Sequence, residues 1–148
     1  RVPGYALYID PPLGRAGLSE REARKKGLEI LVGSRPMTRV SRAVEKGETL
    51  GLMKVVADAG TGKILGASVI GERAGELIGM LAVAKKGGVP LRTVSDTIIP
   101  YPTYGLGARR AADQYYIQKQ FPKAIDLVKR VFGYRGLTPP PPDPDRVL

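Results

Sequence analysis

Hydrophobic and polar positions along the chain predict an alternation of short strands and helices. Residues 5–9 are a short aromatic and β-branched run, the composition of a strand. Asp10-Pro11-Pro12 ends it, because two adjacent prolines lock the backbone and remove donors. Ser19 and Glu22 have the spacing of a helix capping box, with Leu18 and Ala23 placed to staple it and Gly27 to stop it. Residues 28–32 predict a second strand, with residues 37–44 an extended continuation after Pro36. Gly47 marks a loop. Residues 50–59 and 63–70 predict a hairpin, joined by Ala59-Gly60-Thr61-Gly62.

The helical patterns concentrate in the second half. Residues 74–86 carry Leu77, Ile78, Leu81 and Ala84 at helical spacing, and Gly87-Gly88 follows two lysines. Gly75 and Gly79 in this helix predict tight packing on a sheet. Residues 91–98 form a short helix or turn after Pro90. In Ile99-Pro100-Tyr101-Pro102-Thr103 the residues preceding proline must be extended or turned. Thr103 is placed to cap a helix over residues 104–120, and Pro122 permits an amphipathic helix over residues 123–132. Five of the last ten residues are proline, which predicts a disordered or polyproline-like tail.

Composition narrows the chemistry. A chain of 148 residues suits one domain with one core. Its longest apolar run without a charge, residues 77–84, is too short for a membrane span, and no secretory leader pattern opens the chain. The first residue is Arg1, read here as a boundary set within a longer polypeptide. There is no cysteine and no histidine. Thiolate chemistry, disulfides, the usual neutral-pH base and the commonest metal ligand are therefore absent, and no metal site is expected. The lack of cysteine fits the cytoplasm. The net charge of +10 is spread over the chain, from Arg21, Arg24, Lys25 and Lys26 to Lys129 and Arg130, which reads as solvated surface. No nucleic-acid motif accompanies it, so no nucleic-acid partner is expected. The alternative reading is a stand-alone basic module that binds an acidic partner or nucleic acid. Gly60-Thr61-Gly62-Lys63 lacks the full spacing of a phosphate loop and sits in a hairpin.

Three blocks carry a family signal: DPPLGRAGLSEREARKKG (10–27), GLMKVVADAGTGKILGASVIGERAGELI (51–78) and IIPYPTYGLGARRAA (98–112). In that order and spacing they resemble the C-terminal dimerisation domain of the flavin-dependent pyridine nucleotide-disulfide oxidoreductases. That family includes dihydrolipoamide dehydrogenase, glutathione reductase and mercuric reductase. The resemblance implies an α+β fold, an antiparallel four- to five-stranded sheet with helices packed on it, and a homodimer. It divides the chain into a dimerisation domain (1–118), a helical extension (119–136) and a Pro-rich tail (137–148). It also implies FAD and NAD(P)H in the intact protein, held by N-terminal domains of the same polypeptide. This chain has no G-x-G-x-x-G fingerprint, so no cofactor is expected within it and it is expected to be inactive alone.

In the family's disulfide reductases a loop reaches the partner subunit's flavin with His-Pro-Thr, followed by a Glu five residues after the His. Here Tyr101 stands at the His position and Leu106 at the Glu position. Phenols ionise near pH ~10, so a tyrosine does not shuttle protons at neutral pH as imidazole does. Leu106 also removes a capping-box partner for Thr103. The loop is therefore not built for dithiol–disulfide exchange. Mercuric reductase and related flavoproteins also place Tyr here, which makes a Tyr-type member the best match. Mercury chemistry is not supported, because the cysteine pair those reductases carry near the C-terminus is missing. Two roles stay open for Tyr101: a catalytic contact to the partner's flavin or substrate, shared with Pro102, or packing in the dimer interface. The resemblance implies a cis Tyr101-Pro102 bond. Arg109 and Arg110 are expected on a solvated helix face, with an acidic cofactor or partner group as the alternative.

Overall fold

Two hairpins build the sheet, and the helices follow from what each of its faces must cover. The computed structural model describes residues 4–133. The strands are β1 (Gly4–Leu7), β2 (Leu13–Gly17), β3 (Ile30–Pro36), β4 (Leu52–Asp58) and β5 (Ile64–Ile70), all antiparallel in the order β1-β2-β5-β4-β3. Between them lie α1 (Glu20–Lys25), a 3₁₀ turn (Met37–Arg39) and α2 (Ser41–Lys46). After them come α3 (Ala74–Lys86), α4 (Leu91–Asp96), α5 (Gly105–Ala112), a π-helical turn (Tyr116–Gln120) and α6 (Phe121–Phe132). The fold is α+β, as the sequence implied. The proposed tail, residues 137–148, lies outside the described residues.

One face of the sheet is the core face. Ala16, Met53, Val55, Ala67 and Val69 are buried there beneath α3 and α5. From α3 come Ala74, Leu77, Ile78 and Leu81, and from α5 Ala108, Ala111 and Ala112. The helices come close because the sheet offers glycine beneath them. A Cβ on Gly33 would sit 2.0 Å from the Ala111 carbonyl oxygen, and one on Gly14 2.5 Å from that of Ala74. The opposite face is only partly covered by α1. It carries Leu52 and Ile70, each 37 % exposed, and a groove of about 600 Å³ between them and α1.

Local chemistry closes the connections. Ser19 and Glu22 make both bonds of the capping box at the start of α1. The β4–β5 turn is held by the Asp58 carboxylate, which accepts from the Thr61 N–H and hydroxyl, both at 2.7 Å. These bonds hold the Asp58 carboxyl below its ordinary range.

Several expectations are corrected. The strand expected over residues 5–9 ends at Leu7, and Tyr8 is 92 % exposed. Strand β2 was not anticipated, because Leu13–Gly17 holds two glycines and no β-branched residue, and so reads locally as a loop. Residues 37–44 are not extended. Met37, Val40 and Ala43 are buried at threefold spacing, which a 3₁₀ turn followed by a helix satisfies and a strand does not. Gly75 and Gly79 do not face the sheet: a Cβ at either would meet nothing within 4 Å. The helix expected over residues 104–120 is not one α-helix, because α5 ends at Ala112 and Tyr116–Gln120 is π-helical, and the last helix starts at Phe121 instead of 123.

These contrasts predict opposite signs for two glycine substitutions. Gly33→Ala drives a methyl into backbone and should destabilise the domain by at least about 1–3 kcal/mol. Gly79→Ala adds a methyl in open space within a helix and should stabilise it by about 0.5–1 kcal/mol. Urea denaturation midpoints of the two variants check both; a neutral Gly33→Ala would show that α5 does not rest on β3.

Candidate functional site

The segment between α4 and α5 holds Tyr101 and Pro102, and both of its ends are fastened. On the α4 side, Leu91 is fully buried and its N–H donates to the Gly62 carbonyl at 2.7 Å. The Ser95 hydroxyl donates to the Asp113 carboxylate at 2.6 Å, and Arg109 Nε donates to the Ser95 carbonyl at 2.8 Å. The Tyr116 hydroxyl bonds the Asp96 carboxylate, which Arg92 also reaches at 3.3 Å. Both bonds hold the Asp96 carboxyl below its ordinary range, the Tyr116 bond most.

On the α5 side, Thr103 Oγ1 donates to the Pro100 carbonyl at 2.7 Å and accepts the Leu106 N–H at 3.3 Å. Thr103 therefore caps α5, as its position suggested, without a carboxylate at 106. The Tyr104 hydroxyl bonds the Glu48 carboxylate just beyond α2. Gly107 lets α5 settle on the sheet: a Cβ there would lie 2.8 Å from Val40 and 2.9 Å from the Met53 sulfur.

Between these fastenings the loop stands out from the surface. Tyr101-Pro102 is a cis peptide bond, as the resemblance implied. Tyr101 is 71 % exposed and Ile98 95 % exposed. At the base of Tyr101 a cavity of about 70 Å³ is lined by Arg35, Arg39, Ser41, Leu106, Gly107 and Arg110. That volume holds about two water molecules and no nucleotide. Arg35 is 8 % exposed and its Nε donates to the Arg39 carbonyl at 3.1 Å. Tyr101, Leu106 and Arg110 are thus brought together, while Arg109 is turned toward α4. The expectation of a solvated face for Arg109 and Arg110 is corrected: both are half-buried, and Arg110 meets Asp113 at 3.5 Å. The contributions of Arg35 and Arg39 were missed, because they arrive from β3 and the 3₁₀ turn, far away in sequence.

No dinucleotide cradle exists among the described residues. The Gly-rich turn Gly60-Thr61-Gly62 joins antiparallel strands, and the Thr61 N–H is already taken by Asp58. Among the described residues nothing forms a cradle for FAD or NAD(P)H.

Residues 3–112 match the family model of the pyridine nucleotide-disulphide oxidoreductase dimerisation domain. The mercuric reductase of Bacillus cereus is 38 % identical over 110 residues, which is 74 % of this chain and 17 % of that protein. The dihydrolipoyl dehydrogenase of Thermus scotoductus is 39 % identical over 130 residues, 88 % of this chain and 27 % of that protein. Among solved structures, the HOCl-induced flavoprotein disulfide reductase RclA of Escherichia coli superposes with a TM-score of 0.72 at 28 % identity. That superposition covers 80 % of this chain and 27 % of RclA. The chain thus spans no more than 27 % of the length of these three relatives.

The anchor at Tyr104 has a pH signature. Burial, and then the bond to the Glu48 carboxylate, push its phenol from 10.0 up to about 12. The folded state therefore holds this proton more tightly than the unfolded state. Its contribution to stability should be complete below about pH 10 and be lost as pH rises toward 12. Tyrosinate absorbance titrations and alkaline melts of the chain and of Tyr104→Phe check this. The variant should lose one late-ionising tyrosine and its share of the fall in stability, while Tyr116, held up by its bond to Asp96, remains.

Proposed function

The chain belongs to the pyridine nucleotide-disulphide oxidoreductases, as their dimerisation domain, and from that premise we propose that it pairs with a second copy and holds Tyr101-Pro102-Thr103 beside the partner subunit's flavin. The intact protein is then an FAD- and NAD(P)H-dependent oxidoreductase of the cytoplasm, with both cofactors bound by N-terminal domains of the same polypeptide. The observation that carries this reading is the loop crest: Ile98 and Tyr101 are 95 % and 71 % exposed on a segment fastened at both ends. An apolar crest on a rigid base loses little conformational freedom when a partner covers it.

The side chains limit what the site does. When bound, the flavin supplies hydride acceptance from the nicotinamide. Tyr101 offers an aromatic face and a hydroxyl that can donate or accept a hydrogen bond. Leu106 has no polar atom with which to orient an acid–base group at 101. The electron acceptor in this reading is therefore not a dithiol or disulfide that needs a histidine base. Arg35, Arg39 and Arg110 line the cavity behind Tyr101, with Arg110 paired to Asp113 at 3.5 Å.

Sedimentation of this chain and of the intact protein tests the assembly. Both should be dimeric, and Ile98→Asp should weaken the dimer about 10- to 100-fold, the loss expected when a buried isoleucine becomes charged. Strictly monomeric behaviour of both sinks the proposal. For the loop, Tyr101→Phe in the intact flavoprotein should lower kcat for NAD(P)H oxidation and leave dimer affinity unchanged. An unchanged kcat reduces Tyr101 to an interface residue.

A further inference from the structure

Helix α6 continues the chain beyond the residues matched by the family model, which end at 112. The Thermus relative's 130-residue match must extend at least to Arg130, well beyond the family model's last residue. The helix runs on directly from the π-helical turn before it, and none of its residues is buried. Pro122 stands near its start, where no N–H is needed, and Lys129 and Arg130 occupy its last turn.

Its residues sort sharply by side. At about 100° per residue, Phe121, Ile125, Leu127, Val128, Val131 and Phe132 fall in one arc of roughly 160°. Four of them are widely exposed: Leu127 60 %, Val128 46 %, Val131 62 % and Phe132 77 %. The charges are ordered about that arc. Lys123 borders one edge and Lys129 the other, Arg130 lies behind them, and Asp126 sits opposite the middle of the arc. Such an arc is wider than the narrow seam of a coiled-coil dimer. A second copy of the helix would also bring like charges together at both edges. An anionic lipid surface matches both features: it takes up the whole arc, meets both flanking lysines with phosphate, and leaves Asp126 toward water.

We propose that α6 is an interfacial helix that lies in the plane of an anionic membrane surface. Its apolar arc sinks about 5–10 Å into the headgroup and acyl boundary. No described helix is long and apolar enough to cross a membrane, and α6 itself is of the length and amphipathicity of an interfacial helix. It would bring the domain to the negatively charged leaflet without a spanning segment.

The test is cosedimentation of the full 148-residue chain with phosphatidylcholine vesicles, with or without phosphatidylglycerol. Binding should require the anionic lipid and weaken several-fold as salt rises to physiological strength. The Leu127→Glu/Val131→Glu double variant should bind at least about tenfold more weakly. Lys123→Gln/Lys129→Gln keeps the apolar arc and guards against simple loss of the helix; it should lose binding with its helical circular dichroism unchanged. Equal binding to neutral and anionic vesicles, or none to either, overturns the proposal. So does conversion of a dimer to a monomer by Leu127→Glu/Val131→Glu with no change in vesicle binding, which would assign the arc to a second copy.

Discussion

A carbonyl of α5 rests on the backbone of β3, with no room for even a methyl group between them. The Ala111 oxygen lies 2.0 Å from where a Cβ of Gly33 would be, and the Ala74 oxygen at the head of α3 is 2.5 Å from the same point on Gly14. These approaches set the height and position of both helices on the sheet. The residues buried along the contact are small as well, among them Ala67, Ala108 and Ala112. Once α5 is fixed in this way, the loop that enters it is fixed too. The Tyr101 site therefore depends on a packing constraint on the other side of its own helix.

The second layer of order is polar. Ser95, Arg109 and Asp113 join α4 to α5 through short bonds in a half-buried setting, where each bond is stronger than it would be in water. Thr103 and Tyr104 hold the exit of the loop. These bonds surround the loop without touching the Tyr101 ring, so the ring is presented on a rigid base and left free to meet another surface. That arrangement suits a residue whose work is done in a complex. The loop is held by its neighbours.

Leu106 lines the small arginine-rich cavity beneath Tyr101. The helix start survives because Thr103 alone satisfies the Leu106 N–H.

The sequence by itself determined the parts whose signal is local. The capping box at Ser19, the Asp58 turn of the central hairpin and the helix from Ala74 to Lys86 all follow from side chains within a few residues of one another. The three family blocks supplied the domain and the position of Tyr101 in the same direct way. Only the tertiary structure decided the rest. Strand β2 exists because β5 and α3 demand a glycine-containing strand between them, although glycine argues against a strand locally. Residues 37–44 turn helical because Met37, Val40 and Ala43 must all reach one core. Gly75 and Gly79 face outward because the α3 side that meets the sheet is fixed by Leu77, Ile78 and Leu81. Arg35 and Arg39 join Tyr101 only because α5 lands on β3. In each case the deciding partner is distant along the chain, and no window of sequence contains both sides of the contact.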